Sequence, residues 1–276
     1  MRVRSHLFRP LDPGNVWNRA IVVVSTVAGL FGAALTVAFD REPFLAVLAG
    51  GSTFLSWALA RELDPDQQAS ALVAAVAGGT WALVGMPTAL LPMLGLMLAS
   101  RIVVETTGRR PLVGDLVAMV VLVAAISFTL LGWVMGFGLA VALYVDDRLA
   151  EEHTRQALLA ALAGAVASTA VVTLSGAVPE SPPEVRPFLA AMVGVLALAA
   201  VGREPVDPVT FVDSRHKRFL RRDRVHAGRA LSGLLIFVGA LVTGDDAPAV
   251  VPMAVALAVA LVSSELERWR RRRIEG

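Results

Sequence analysis

Cysteine is absent from the 276 residues. That excludes disulfides, thiol nucleophiles and zinc–thiolate sites. Lysine is nearly absent as well: Lys217 is the sole lysine among 25 basic residues, so almost every cation is a guanidinium. Charged residues make up only 17% of the chain, too few for an ordinary soluble domain of this length. The histidines, His6, His153, His216 and His226, lie in polar segments without metal-ligand spacing. There is no Walker A loop, no glycine-rich dinucleotide fingerprint and no nucleophile elbow. What fills the chain instead is apolar: 56% hydrophobic residues and a mean hydropathy of +0.67.

The apolar residues fall into ten stretches separated by short polar joints: 19–39, 43–60, 69–85, 87–104, 112–131, 132–145, 156–174, 186–201, 229–243 and 248–264. A membrane span needs about 20 apolar residues, with about 17 tolerated. Several stretches are short by that measure, and the sixth is the weakest. The pattern predicts an all-α polytopic membrane protein of about ten transmembrane helices, with eight as the alternative. Gly132-Trp133 reads as a tight turn between the fifth and sixth. The segment Met1–Asn18 is polar and basic without a cleavage pattern, which reads as a retained tail. The arginine-, alanine- and valine-rich composition fits a bacterial chain, and the expected location is the cell inner membrane.

Orientation follows from the arginines. The N-terminal segment, the even-numbered joints and the C-terminal segment hold 23 of the 25 Lys and Arg; Arg41 and Arg186 are the exceptions. Arginine-rich short loops stay cytoplasmic, so both termini are expected there. Trp17, Trp57, Trp81, Trp133 and Trp269 sit near expected helix ends, as interfacial anchors do.

Three short matches recur in order. Pro43-Phe44-Leu45-Ala46 returns as Pro187-Phe188-Leu189-Ala190. Arg61-Glu62-Leu63-Asp64-Pro65 returns, one residue longer, as Arg203-Glu204-Pro205-Val206-Asp207-Pro208. Ala89-Leu90-Leu91-Pro92-Met93 returns as Ala249-Val250-Val251-Pro252-Met253. These point to an internal duplication, four plus two plus four helices. Residues 1–18 form the first tail, 19–111 the first repeat and 112–155 a linker pair. Residues 156–266 form the second repeat, with a basic loop at 203–229, and 267–276 the basic tail.

Ionisable residues are nearly missing from the stretch centres, which argues against a pump built on a midplane carboxylate. They gather at the arginine-bearing joints: Arg61, Glu62, Asp64 and Asp66; Arg101 and Glu105, four apart and able to pair on one helix face; Asp146 and Asp147; Arg203, Glu204 and Asp207. Convergent carboxylates and arginines there suit Mg²⁺ and a diphosphate. Asp-Pro and its polar neighbours also simply end helices. The two joints Glu62-Leu63-Asp64-Pro65-Asp66 and Asp146-Asp147-Arg148-Leu149-Ala150-Glu151 resemble the Asp-rich loops of UbiA-type prenyltransferases. The resemblance covers two loops and no helices, and the Asn-Asp-x-x-Asp-x-x-x-Asp pattern is absent. It implies a magnesium-dependent enzyme acting on polyprenyl phosphates at the cytoplasmic face.

The most basic joint carries Arg215, Lys217, Arg218, Arg221, Arg222 and Arg224. Such clusters attract anionic lipid headgroups at roughly 1 kcal/mol per residue, with Phe211, Phe219 and Leu220 available to insert. No nucleic-acid motif accompanies them. Three functions compete on these residues. A transporter of a small or lipid-like solute, without a resident metal or cofactor, fits the duplication and short joints. A lipid-phosphate enzyme using Mg²⁺ fits the carboxylates. A scaffold with a protein partner fits the lack of a signature.

Overall fold

The computed structural model describes residues 11–107, 111–150, 153–178, 184–205, 207–208, 211–213 and 218–275. His6, Glu151, Val206, Arg215, His216 and Lys217, named above, lie outside the described residues.

Among the described residues there are ten α-helices: α1 (Val16–Phe39), α2 (Leu45–Leu63), α3 (Gln68–Leu83), α4 (Leu90–Val104), α5 (Val113–Ile126), α6 (Leu130–Leu149), α7 (Arg155–Leu174), α8 (Pro187–Gly202), α9 (Arg222–Val242) and α10 (Val251–Glu275). Two short strands, β1 (Phe211–Asp213) and β2 (Arg218–Phe219), pair antiparallel in the α8–α9 joint. A 3-10 helix, Gly244–Val250, leads into α10. Polar residues set the boundaries. Asn15 caps α1 by accepting from the Trp17 amide at 2.8 Å, and Thr129 caps α6 by accepting from the Gly132 amide at 3.0 Å. Pro92 and Pro252 both fall in a first helical turn, where the missing amide proton costs nothing.

The helices form a bundle. Helices α2, α4, α6, α9 and α10 pack at its centre around Leu59, Leu96, Met135, Leu139, Ile236 and Met253, all fully buried. Helix α1 lies along α2, α8 along α9, and α7 against α5 and α6. The outer face is apolar: Val27 and Phe31 on α1, Val117 on α5, Leu162 on α7 and Leu198 on α8 are all exposed. A soluble monomer rarely exposes so much contiguous apolar surface. Five helical segments are long and apolar enough to cross a membrane by length and composition, Val16–Phe39, Leu130–Leu149, Arg155–Leu174, Arg222–Val242 and Gly244–Ile274. Helices α3, α4, α5 and α8 are shorter and apolar. The architecture is compatible with a helical membrane protein.

Several local expectations are corrected. The expected turn at Gly132-Trp133 lies earlier, at Ser127–Thr129, because the Ser127 hydroxyl bonds back to the Val123 carbonyl at 2.6 Å and Thr129 starts α6. The sixth stretch, read as the weakest, is a 20-residue helix. The segment expected as a basic tail from 267 continues α10. Trp57 is no interfacial anchor: it is 2% exposed and turned into the bundle.

Close approach of α2 and α3 depends on small residues. The Ser52 hydroxyl donates to the Gly78 carbonyl at 2.9 Å, and any side chain at Gly78 would collide with Ser56. Gly78→Val is expected to lose about 1–3 kcal/mol through overpacking, read by denaturant unfolding in lipid micelles. Gly202→Ala, which meets open space, should stay within about 0.5 kcal/mol of wild type. Equal effects in the two variants would contradict the close-packed α2–α3 contact.

Candidate functional site at the arginine-rich end

The arginine-bearing joints meet at one end of the bundle. The ends of α2, α4, α6, α8 and α10 and the starts of α1 and α9 exchange ion pairs and hydrogen bonds there. At the other end, Arg41 of the α1–α2 joint lies beside Gly85 of the α3–α4 joint, and Arg186 lies 3.4 Å from Asp245.

Three buried clusters close the arginine-rich end, and each ties two or more helices together. In the first, Arg229 of α9 is 1% exposed. Its Nε donates to the Leu63 carbonyl at 2.7 Å and its Nη2 to Ser264 Oγ at 2.7 Å. Asp64 Oδ1 lies 3.7 Å from Nη2. Asp64 Oδ2 accepts from Ser263 at 2.5 Å and Ser264 at 3.2 Å. In the second, Arg224, 3% exposed, donates through Nη1 to Asp146 Oδ1 at 2.6 Å and to the Val103 carbonyl at 3.0 Å. Its Nε lies 3.3 Å from Glu105 Oε2. In the third, Arg101 Nε donates to Glu62 at 2.8 Å, and the Thr106 hydroxyl donates to the other Glu62 oxygen.

Chain direction explains the arrangement. Helix α9 starts where α2 and α4 end, so Arg224 in its first turn and Arg229 about two turns in meet the unsatisfied carbonyls and negative dipole ends of those helices. The expected Arg101–Glu105 pairing gives way to Arg101–Glu62. Glu105 ends α4 in a left-handed conformation, φ 60°, and meets Arg224 instead.

The remaining candidate residues are dispersed. Arg61 donates to Asn18 at 2.9 Å and stacks over Trp57 at 5.1 Å. Asp147 separates from its neighbour Asp146 and accepts from the Thr154 amide at 2.7 Å, at the start of α7. Arg203 faces Glu265, while Glu204 and Asp207 face Arg222 at the exposed rim. Arg221 holds Asp223 and the Leu149 carbonyl. Arg224, expected at lipid headgroups, is inside the protein. Arg215, Lys217 and the Arg218 side chain lie outside the described residues. Of the apolar residues expected to insert into the lipid surface, Leu220 packs on Val104 and Val225, and Phe219 is half exposed in β2. Among the described residues, no three His, Asp or Glu side chains group as a metal site.

Three cavities accompany these clusters. A 310 Å³ groove beside the Glu62 cluster is lined by Trp57, Arg61, Met97, Arg101 and Thr106. A 110 Å³ cavity touches Asp64, Asp66, Gln67, Val225, Arg229 and Glu267. A third, 580 Å³, opens at the opposite end and is lined by Pro87, Thr88, Phe128, Thr129, Thr243 and Ala249. Beneath it Gly239 lets Leu131, Met135 and Val250 close together.

Burial pushes the Asp64 carboxyl above the ordinary carboxylate range, with Arg229 and the two serine hydroxyls pulling it back and Asp66 pushing with burial. The folded chain therefore holds this proton more tightly than the unfolded chain. The stability so contributed is complete below the unfolded value and is lost as pH rises through the folded one.

Residues outside the sequence candidates complete the site: Asn18, Thr106, Arg229 as a pairing partner, Ser263 and Ser264. Adjacent serines closing an apolar run just before Glu265 are the one signal that marked them. Comparison with family models, curated proteins and solved structures finds no match to this chain.

Proposed function

We propose that the chain is a multi-pass membrane carrier for a small neutral or amphipathic solute, resting with one end open and the other shut. The observation that supports this reading is the contrast between the two ends. One has a 580 Å³ vestibule, and the other, with a 310 Å³ groove and a 110 Å³ cavity, is crossed by arginine–carboxylate pairs that bridge helices. A carrier needs one gate shut while the other stands open, and ion pairs between helix ends form a gate with two discrete states. The mixed lining of the vestibule, with apolar Phe128 and Pro87 beside Thr88, Thr129 and Thr243 and a single carboxylate, Asp246, suits a solute without strong negative charge.

On this reading all ten helices span a bacterial inner membrane, with the arginine-rich end and both termini cytoplasmic. Exposed Arg221, Arg222 and the Arg270–Arg273 turn of α10 would then meet anionic headgroups. The duplication is part of the proposal. Its three matches fall at corresponding places, the starts of α2 and α8, their ends, and the starts of α4 and α10; the seat of α7 against α5 and α6 is where the two halves differ. The enzyme reading, with Mg²⁺ on convergent carboxylates, has less support because Glu62, Asp64 and Asp146 each face an arginine.

The chain has no cysteine, so single thiols report without background. In sealed vesicles, Thr88→Cys should react quickly with an impermeant maleimide from the non-cytoplasmic side only. Val225→Cys, at a residue 1% exposed, should react slowly and from the cytoplasmic side only. Reaction of both thiols from one side, or fast reaction of both, contradicts the proposal.

A further inference from the structure

We propose that Asp64 is a proton-binding site whose occupancy opens the arginine-rich end, which makes the proton the coupling ion of the carrier. This rests on the carrier reading. Four observations converge on it. Asp64 is 6% exposed, yet it touches a 110 Å³ cavity, room for several waters at roughly 10–15 Å³ each. Its Oδ2 is occupied by Ser263 and Ser264. Its Oδ1 stands 3.7 Å from Arg229 Nη2, beyond hydrogen-bond distance, and so is the oxygen free to take a proton. Arg229 Nη1 is buried and finds no acceptor among the described residues, while Arg229 itself lines the cavity. A donor left in that position calls for water.

The groups facing Asp64 come from three elements. Arg229 stands on α9; Ser263 and Ser264 stand on α10, with Arg268 acting on Arg229; Asp66 lies in the α2–α3 joint. Glu267 and Arg271 of α10 line the same cavity and pair with each other at 3.2 Å. In the step, a hydronium in the cavity gives its proton to Oδ1 and becomes water, and no other bond changes. Arg229 keeps its charge and loses its nearest counter-charge. A cation so stripped is more stable hydrated than dry, which favours parting of α9 from α2 and α10. The neutral anchors of Arg229, the Leu63 carbonyl and Ser264 hydroxyl, let the contact re-form on deprotonation.

The test is an infrared pH titration of the full chain in lipid vesicles, with maleimide labelling of Val225→Cys across the same pH range, normalised to an exposed thiol. A protonated-carboxyl band with a midpoint above the ordinary carboxylate range, missing in Asp64→Asn, is expected. The labelling rate should rise on acidification with the same midpoint. If Asp64→Asn does not fold, Ser263→Ala serves: loss of a donor to the carboxylate should raise the midpoint. A band unchanged in both variants, or none above the ordinary range, overturns the proton site. A band with labelling flat in pH overturns the coupling. The carrier reading fails separately, if the Thr88 and Val225 thiols react from one side.

Discussion

Arg224→Met should be among the most damaging single substitutions, with an expected loss of about 3–5 kcal/mol. Arg224 is 3% exposed and neutralises two carboxylates that are themselves buried, Asp146 at 2.6 Å and Glu105 at 3.3 Å. Methionine fills much of the volume but removes the guanidinium that Asp146 and Glu105 share, together with the donor to the Val103 carbonyl. Helix α9 then loses its tie to α4 and α6. Adding Asp146→Asn to Arg224→Met should recover part of the loss. Arg224→Lys should fall between, because an ammonium keeps the charge but lacks the planar fork that reaches Asp146, Glu105 and the carbonyl together. Denaturant unfolding in lipid micelles reads all three. A loss under about 1 kcal/mol for Arg224→Met would show the cluster to be solvated, as surface pairs are.

The second large effect concerns Asp64 and Arg229. Arg229→Met is expected to lose about 3–5 kcal/mol, because buried Asp64 loses its nearest cation and the Leu63 carbonyl and Ser264 hydroxyl lose their donor. Asp64→Asn keeps an acceptor for the two serines but isolates the guanidinium. Removing both charges removes both penalties. The double variant should therefore be more stable than the sum of the single losses, with a coupling of about 1–3 kcal/mol. Additivity within about 0.5 kcal/mol would mean that the 3.7 Å separation carries no interaction worth measuring.

How much of this was legible beforehand follows from what each pattern encodes. Long apolar stretches interrupted by polar joints mark helices whatever their partners are, and α1, α3, α7 and α8 lie close to where hydropathy puts them, whereas α9 begins at Arg222, inside the segment expected as a basic loop. The turn between α5 and α6 was misplaced because glycine and tryptophan resemble a turn by composition, whereas the break is made by Ser127 and Thr129 hydroxyls bonding to backbone. Alternate placement of arginines carried over to the fold: those of the described joints do gather at one end. Their partners were not readable. Spacing of four along one helix favoured Arg101 with Glu105, but Glu105 leaves the helix face through its left-handed backbone, and the choice of Glu62 is tertiary. Asp146 and Asp147 look equivalent in sequence and do different work, one buried against Arg224 and one capping α7. Arg229 looked like one more cation of a basic loop. Only the packing of α9 against α4, α6 and α8, with its early turns at the ends of α2 and α10, turns it inward.

The most direct measurement is of spin-label distances across both ends in the same lipid vesicles. One pair, Thr88→Cys with Thr243→Cys, spans the vestibule; the other, Gln67→Cys with Pro208→Cys, spans the arginine-rich end, and all four positions line the cavities in question. The account predicts two populations in which one distance lengthens as the other shortens, with the closed arginine-rich end dominant. A single fixed distance at both ends, or two distances that widen together, would contradict it.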